Sequence, residues 1–315
     1  MQLTVVQRIL GLLIMVFSTT MLPPALVGLW YQDHSILPFI ESFFILLASG
    51  FLIWFPVREL RHELRLRDGF VIVVLFWAGL GVAGGVPLML SDQPEISVAD
   101  AVFESISGLT TTGATVITGL DTLPKSILFY RQQLQWLGGM GIIVLAVAIL
   151  PMLGVGGMQL YRAETPGPVK DNKLTPRITE TAKALWMIYL MLTISCMLAY
   201  WYAGMGLFDA LAHSFSTVAI GGFSTHDASI GYFDSPAIEA VAIFFMLVSG
   251  VNFALHFYSL RAVTLRNYWS DSEFRVYIIG IVAVSFVVIV FLYFSSTITN
   301  VSLAFRQGLF QTVSI

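Results

Sequence analysis

Long apolar stretches dominate this chain of 315 residues and limit the folds that are open to it. A hydrocarbon core of about 30 Å is crossed by a helix of roughly 20 apolar residues. Stretches of this length favour helices, which satisfy their own backbone hydrogen bonds in lipid. Only 11% of the residues are charged, whereas about 25% is usual in soluble domains. We therefore predict an all-α polytopic membrane protein with seven spans, at 9–30, 36–57, 69–91, 134–156, 183–204, 236–258 and 274–297.

Basic residues are concentrated on one side of this seven-span topology. Most of the 16 lysines and arginines are Arg8 or lie in the segments 58–68, 157–183 and 261–275. Loops rich in lysine and arginine stay in the cytoplasm, so we expect these segments and the N-terminus to be cytoplasmic. The opposite side carries an excess of aspartate and glutamate. Such residues concentrate cations at a pore mouth, although a merely solvated acidic surface is the alternative interpretation.

A short amphipathic segment that ends in small residues and glycine occurs twice between the apolar stretches. The first copy runs from Asp100 to Gly113 and the second from Asp209 to Gly222. Neither is long enough to cross a bilayer, so each predicts a re-entrant pore helix followed by an irregular loop. A third copy begins near Gln307, which aligns with Asp209, and the sequence stops within it.

These segments predict parallel units, each made of a span, a pore helix and a second span. Repeated membrane units usually surround a shared pathway, and a closed ring of units of this kind needs four. We therefore expect a pseudo-fourfold pore that is truncated in the third repeat. The expected domains are an N-terminal two-span hairpin at 1–68, a first pore repeat at 69–157, a cytoplasmic loop at 158–182, a second pore repeat at 183–260 and an incomplete third pore repeat at 274–315.

The first pore helix has a recognisable start signal. Ser97 precedes it and Asp100 follows three residues later, as in a capping box. In the predicted topology the helix starts at the outer face, so its C-terminal end points toward the membrane centre. That end carries roughly half a negative elementary charge, which favours a dehydrated cation.

The residues that follow each pore helix are predicted to form an ion filter. Backbone carbonyls can replace the water shell of an ion where the backbone lies close to the axis, and glycine allows the necessary dihedral angles. Oxygen ligands suit hard cations rather than soft metals. Close helix packing by threonine and glycine is the alternative explanation. The predicted filter residues are Thr110, Thr111, Thr112 and Gly113 in the first copy, and Ala219, Ile220, Gly221 and Gly222 in the second.

The sequence shows no Walker-type phosphate loop, no metal-ligand cluster and no nucleophile–base arrangement, so we expect neither an enzyme nor an organic cofactor. Two other functions stay open at this point. One is a secondary transporter of another solute that is built from broken helices. The other is a non-conducting membrane scaffold that binds regulatory subunits.

Four motifs together resemble the Trk/Ktr/HKT superfamily of potassium transporters, and most closely its bacterial TrkH subfamily. They are ESISGLTTTG from Glu104, QWLGGMG from Gln135, YRAETPG from Tyr161 and HSFSTVAIGGFSTH from His213. The resemblance covers essentially the whole chain. It implies four span–pore helix–span units around one axis, preceded by an extra hairpin. It also implies uptake of potassium, with rubidium tolerated, across the bacterial inner membrane.

The resemblance further implies site residues and partners. Potassium would be contacted by the backbone carbonyls of Thr111, Thr112, Ile220 and Gly221. The assembly would be a homodimer that binds a cytosolic ring of TrkA-like subunits, which carry the nucleotide. Whether transport is passive or coupled to protons or sodium, as in a symport, stays open.

The sequence departs from the superfamily pattern toward its end. The superfamily has a gating loop in its third repeat and a basic residue near the pathway in its fourth, and neither occurs in these 315 residues. We therefore expect the chain to be the N-terminal part of a longer transporter and not to conduct potassium on its own.

Overall fold

The structure is a computed structural model that describes residues 3–33, 35–59, 66–139, 141, 178–295 and 300–315. All regular secondary structure in these residues is helical, which confirms the predicted fold class. Most of the predicted fourth span at 134–156 and of the cytoplasmic loop at 158–182 lies outside the described residues.

The α-helices are numbered in chain order. They are α1 (Leu3–Ser18), α2 (Leu22–Tyr31), α3 (Ile36–Trp54), α4 (Leu66–Leu90), α5 (Val98–Leu109), α6 (Lys125–Gly139), α7 (Ile178–Tyr202), α8 (Leu207–Val218), α9 (Pro236–Ser249), α10 (Phe253–Ala262), α11 (Arg266–Ser270), α12 (Ser272–Phe294) and α13 (Val301–Ser314).

Five helical segments of the described chain are long and apolar enough to cross a membrane. They coincide with five of the predicted spans, apart from shifts of a few residues at their ends. The segments are Leu3–Tyr31, Ile36–Val57, Val71–Leu90, Lys183–Tyr202 and Ser272–Phe294.

The sixth predicted span, at 236–258, is wrong as a single straight helix. Helix α9 ends at Ser249, α10 begins at Phe253, and their axes differ by 92°. The side chain of Asn252 accepts a hydrogen bond from the Ala254 N–H and thereby starts α10. The residues on both sides of this short turn are apolar, so hydrophobicity averaged over a long window does not reveal the break.

Helix α6 begins at Lys125, well before the start at 134 that hydrophobicity predicts. Its first turns contain polar residues that pack inside the protein rather than facing lipid. Arg131, Gln132, Gln133 and Gln135 are all buried there. A hydrophobicity criterion misses such a segment because it reads buried polar residues as part of a loop.

Each of the three short helices packs beside a long helix. Helices α5, α8 and α13 each contact the long helix that precedes them, which is α4, α7 and α12 respectively. Helix α6 contacts both α5 and α8 and therefore joins the first two units. The bounds of α8 are those of α5 moved along the chain by 109 residues. The predicted cap is also present, because the Ser97 hydroxyl oxygen accepts a hydrogen bond from the Asp100 N–H at 3.2 Å.

Candidate ion filter

Helix α5 ends in a Schellman motif formed by the predicted first filter. Thr111 has a φ of 55°, in the left-handed region. Its N–H donates to the Gly108 carbonyl at 3.0 Å, and the Thr112 N–H donates to the Ser107 carbonyl at 2.9 Å. These two bonds satisfy carbonyls that the helix end would otherwise leave without partners.

Helix α8 ends in the same way at the predicted second filter. Ile220 has a φ of 53°. Its N–H donates to the Thr217 carbonyl at 3.1 Å, and the Gly221 N–H donates to the Ser216 carbonyl at 2.8 Å. A β-branched residue in the left-handed region is unusual and costs about 1–2 kcal/mol. Within the described residues that strain occurs at the same position of both loops, at Thr111 and Ile220, and also at Val263 outside the filters. Backbone strain often clusters at functional sites.

The two loops approach each other closely at a glycine. Gly113 and Gly222 both have positive φ values, of 74° and 85°. A Cβ atom on Gly113 would overlap the carbonyl oxygen of Gly221. A Cβ atom on Gly222 would meet nothing within 4 Å. The equivalent glycines therefore share a backbone conformation, but only the first is enclosed by the other loop.

A cavity of about 730 Å³ lies against both loops and against α13. Five of the eight predicted filter residues line it: Thr112, Gly113, Ile220, Gly221 and Gly222. Thr110, Thr111 and Ala219 are not among its lining residues. The structure therefore brings the two predicted filters together beside one cavity. The assignment of ion-binding carbonyls within them stays a prediction.

A fully buried ion pair lies behind the first filter. Glu104 of α5 and Arg131 of α6 have no exposed side-chain surface, and Arg131 Nε donates to Glu104 Oε1 at 2.7 Å. The Thr115 hydroxyl donates to the same carboxylate at 2.9 Å, and the Val116 N–H donates to it at 3.1 Å. The pair therefore holds the chain segment that leaves the first filter.

The guanidinium of Arg131 also reaches the segment that leaves the second filter. Its Nη1 donates to the Ser224 carbonyl at 3.2 Å. The guanidinium carbon lies 4.4 Å from the centre of the Phe223 ring, which is a cation–π distance. A third nitrogen, Nη2, donates to the Thr115 hydroxyl at 2.9 Å. One side chain thus contacts both post-filter segments.

The remainder of α6 supports the backs of the two filters. Gln135, one turn after Arg131, accepts a hydrogen bond from the Phe223 N–H at 3.0 Å, and its side chain packs directly against Gly221. A Cβ on Gly138 would overlap the Leu109 carbonyl. A Cβ on Gly139 would lie 2.9 Å from Ala219. These glycines therefore allow close packing of α6 against both helix ends.

His213 of α8 occupies the position that Glu104 has in α5. Its Nε2 lies 3.0 Å from the Ser224 hydroxyl, which matches the Glu104–Thr115 contact at an offset of 109 residues. Its Nδ1 lies 2.9 Å from the Asp209 carbonyl. A carbonyl only accepts hydrogen bonds, so Nδ1 carries the proton and Nε2 of the neutral ring accepts from Ser224.

The segments beyond the filters also bind each other directly. His226 Nδ1 lies 2.5 Å from Asp121 Oδ1, and the His226 ring stacks on Tyr232 with centroids 3.5 Å apart. The Gly119 N–H donates to the Asp227 carboxylate at 3.0 Å. The hydrogen bond to His226 holds the pKa of the Asp121 carboxyl below its ordinary value.

A second set of charges joins α13 to the second unit. Arg306 of α13 binds both carboxylate oxygens of Glu239, at 2.6 and 2.8 Å, and Asp234 at 3.2 Å. The hydrogen bonds that Arg306 donates to the Glu239 carboxylate raise the pKa of Arg306 above its usual range. Arg306 therefore stays charged and holds α13 against α9 beside the cavity.

Sequence reasoning did not identify Arg131, Gln135 or Glu104 as parts of the site. Arg131 lies just before the predicted fourth span at 134–156, which places it in a loop. An arginine directly before an apolar helix is common at the ends of membrane spans, so a buried partner is not evident from the sequence. That partner lies 27 residues away in sequence, and only the packing of α6 on α5 reveals it.

Comparison with known proteins agrees with this architecture. A family profile described as "TrkH: Cation transport protein" matches residues 36–314. The Trk system potassium uptake protein TrkH of Vibrio parahaemolyticus is 61% identical over 317 residues, covering 100% of this chain and 65% of that protein. The protein of the same name from Escherichia coli K12 is 55% identical, with the same coverage of both chains.

A solved structure matches as well. The crystal structure of the potassium transporter TrkH from Vibrio parahaemolyticus has a TM-score of 0.87 and 57% identity, covering 100% of this chain and 64% of the other. The chain thus spans about 65% of the length of the curated relatives that it matches. From the family match and this identity, the chain belongs to the TrkH family of cation transport proteins.

Proposed function

We propose that this chain contributes to the pore of a Trk-type system that takes up potassium, and also rubidium, across the bacterial inner membrane. The observation that carries the proposal is the pair of equivalent helix-ending loops. They share left-handed residues at Thr111 and Ile220, meet at Gly113 and Gly221, and lie beside one cavity. Relatives with 55–61% identity are named potassium uptake proteins.

The proposed mechanism is replacement of the water shell of potassium by oxygen atoms of the filter. The carbonyls of Thr111, Thr112, Ile220 and Gly221 are the proposed ligands. Two observations support this. Helices α5 and α8 end at these loops, so the partial negative charge of each C-terminus falls on the site. Three residues of the proposed ligand set, Thr112, Ile220 and Gly221, also line the cavity beside the loops.

The proposed setting is a multi-pass inner-membrane protein with its N-terminus in the cytoplasm. Basic segments near 58–67, 162–183 and 261–275 would then face the cytoplasm. Arg261, Arg266 and Arg275 are exposed and therefore free to meet an acidic partner surface. We propose that such segments contact a TrkA-like nucleotide-binding ring and that the transporter is a homodimer. The Trk system named in the relatives supports the existence of partner subunits.

Uptake of radioactive rubidium tests the proposal. The complete transporter gene that contains this sequence would be expressed in a bacterium that lacks its own potassium uptake systems. We expect rubidium uptake above that of the empty vector, with strong competition by potassium and weak competition by sodium. Competition by sodium as strong as that by potassium, or no uptake from protein that has reached the membrane, would contradict the proposal.

A further inference from the structure

We propose that Arg131 and Glu104 are positioning residues that fix the spacing of the two filter loops and thereby set the selectivity among monovalent cations. This inference rests on the proposed function. Neither side chain lines the cavity beside the filters. They act through the chain segments that leave the filters, so they are not ion ligands themselves.

The contacts of the pair reach both loops. Glu104 accepts hydrogen bonds from Thr115 and from the Val116 N–H, both of which closely follow Gly113 in sequence. Arg131 donates to the Ser224 carbonyl, two residues after Gly222, at 3.2 Å. The ion pair is therefore a direct connection between the first and second loops.

A role in stability alone explains this arrangement poorly. A buried ion pair gives little net stabilisation relative to well-packed apolar residues, because removing two charges from water is costly. Here both charges are completely buried, and their remaining hydrogen-bonding groups are directed at the two filter segments. A buried network in which the polar groups are bonded fixes one geometry, and that is what a filter needs.

The corresponding positions of the second unit lack such a pair. His213 takes the place of Glu104 and bonds the Ser224 hydroxyl. Helix α9 begins 111 residues after α6, and at that offset Ala242 takes the place of Arg131. The first unit therefore supplies this ion-pair bridge, and the equivalent positions of the second unit offer no substitute when it is removed.

Selectivity is the property that this spacing should control. A filter discriminates between cations through the number and arrangement of the oxygens around the ion. Gly113 and Gly221 are in direct backbone contact, so a small relative shift of the two loops changes the oxygen positions. Loosening the bridge should then admit sodium more readily while potassium still passes.

The test compares cation competition for rubidium uptake in the same expression system. The double variant Glu104→Gln/Arg131→Met removes both charges together, so no unpaired buried charge is left behind. We expect normal amounts in the membrane and a potassium-over-sodium competition ratio about tenfold lower, the factor expected from one lost charge-assisted hydrogen bond. An unchanged ratio in this variant would overturn the proposal.

A second variant keeps the test decisive if the double variant fails to fold. Thr115→Val leaves the ion pair intact but removes the hydroxyl that bonds both Glu104 and Arg131. Thr115 is exposed, so folding should persist. We expect a smaller fall in the potassium-over-sodium competition ratio than in the double variant.

Ser126→Ala is the matched control on α6, because Ser126 is buried and bonds Asp33 rather than a filter segment. Its ratio should stay at the wild-type value.

The outcomes separate this inference from the function on which it rests. Wild-type protein that reaches the membrane but takes up no rubidium would contradict the proposed function and the inference together. Selective wild-type uptake with an unchanged ratio in Thr115→Val and in any folded double variant would overturn the positioning role alone. An equal loss of selectivity in Ser126→Ala would also overturn it, because α6 packing in general would then be responsible.

Discussion

Gly113 lies so close to Gly221 that a Cβ atom on Gly113 would occupy the space of the Gly221 carbonyl oxygen. The two residues belong to loops that end different helices and lie more than 100 residues apart in the sequence. This contact joins the two predicted filters at their backbones. It also makes the glycine requirement at this position steric as well as conformational.

Replacement of Gly113 by alanine should disrupt the filter. The added Cβ would collide with a backbone atom, which cannot move aside as a flexible side chain can, and the φ of 74° would be strained as well. We expect rubidium uptake to fall by about tenfold or more, as for a loss of about 1.4 kcal/mol or more at the site. Transport assays with the amount of membrane protein measured in parallel would check this.

Gly119→Ala is the matched control for that variant. Gly119 has the same φ of 74°, but a Cβ there would meet only the Thr122 hydroxyl oxygen at 3.8 Å. It should show the backbone strain of about 1–2 kcal/mol without the collision and keep most of the uptake. Equal losses of rubidium uptake in Gly113→Ala and Gly119→Ala would show that the contact with Gly221 is unimportant for transport.

Gly222→Ala should be milder than Gly113→Ala although the two glycines are equivalent in sequence. The φ of 85° is unfavourable for alanine, but no atom lies within 4 Å of the added Cβ. We expect a loss of stability of about 1 kcal/mol and a smaller loss of uptake. Thermal unfolding of the detergent-solubilised protein, combined with uptake assays, would measure both. A larger effect on uptake at Gly222 than at Gly113 would contradict the asymmetry between the loops.

Ile220→Gly should stabilise the protein by releasing backbone strain. Ile220 is left-handed at φ 53° and its side chain is substantially exposed, so little apolar burial is lost. We expect a gain of about 1 kcal/mol, since glycine adopts this conformation at no steric cost. Ala219→Gly is the control, because Ala219 has a helical φ of −76° and glycine should be destabilising there. A fall in the unfolding temperature of Ile220→Gly would contradict the strain assigned to this loop.

The Asp121–His226 contact should make stability depend on pH in the acid range. The pKa of Asp121 in the folded protein is lowered below 3.8, chiefly by its hydrogen bond to His226. A carboxyl with a lowered pKa in the folded protein adds stability at pH values above its pKa in the unfolded chain. That stability is lost as the pH falls through the pKa of the folded state. Wild type should therefore unfold at a higher temperature than Asp121→Asn at pH 7.

The difference in unfolding temperature between wild type and Asp121→Asn should shrink as the pH falls below about 3.8. Asp121 is then protonated in both the folded and the unfolded state. The neighbouring charged groups, Asp227 beside Asp121 and Asp209 on the other side of His226, are the same in both proteins. Unfolding temperatures measured from pH 7 to pH 3 would check the trend. A difference that stays constant over that range would contradict a contribution from the ionised carboxylate.

The sequence alone predicted the helical membrane class, the short helices and the loops that follow them. These features depend on local patterns, namely long apolar stretches, a capping serine at Ser97 and small residues beside glycine at Gly113 and Gly222. The repeated segment is recognisable because residues of similar chemistry recur at a constant distance along the sequence. Local pattern was sufficient wherever a residue's conformation depends mainly on its neighbours in the chain.

The break between α9 and α10 and the Glu104–Arg131 pair could not be predicted in the same way. The break lies at a short turn within apolar surroundings, where Asn252 caps the next helix. The ion pair depends on the packing of α6 between α5 and α8, which no local pattern specifies. The same packing explains why hydrophobicity alone does not identify the polar first turns of α6 as helical.

The most direct test of the filter is to locate a bound ion in the protein. X-ray diffraction from crystals grown in rubidium would show the ion through its anomalous scattering. We predict a rubidium site coordinated by the carbonyl oxygens of Thr111, Thr112, Ile220 and Gly221, with its occupancy reduced by added potassium but not by sodium. Clear density for these loops with no rubidium at these carbonyls, or equal displacement by sodium, would contradict it.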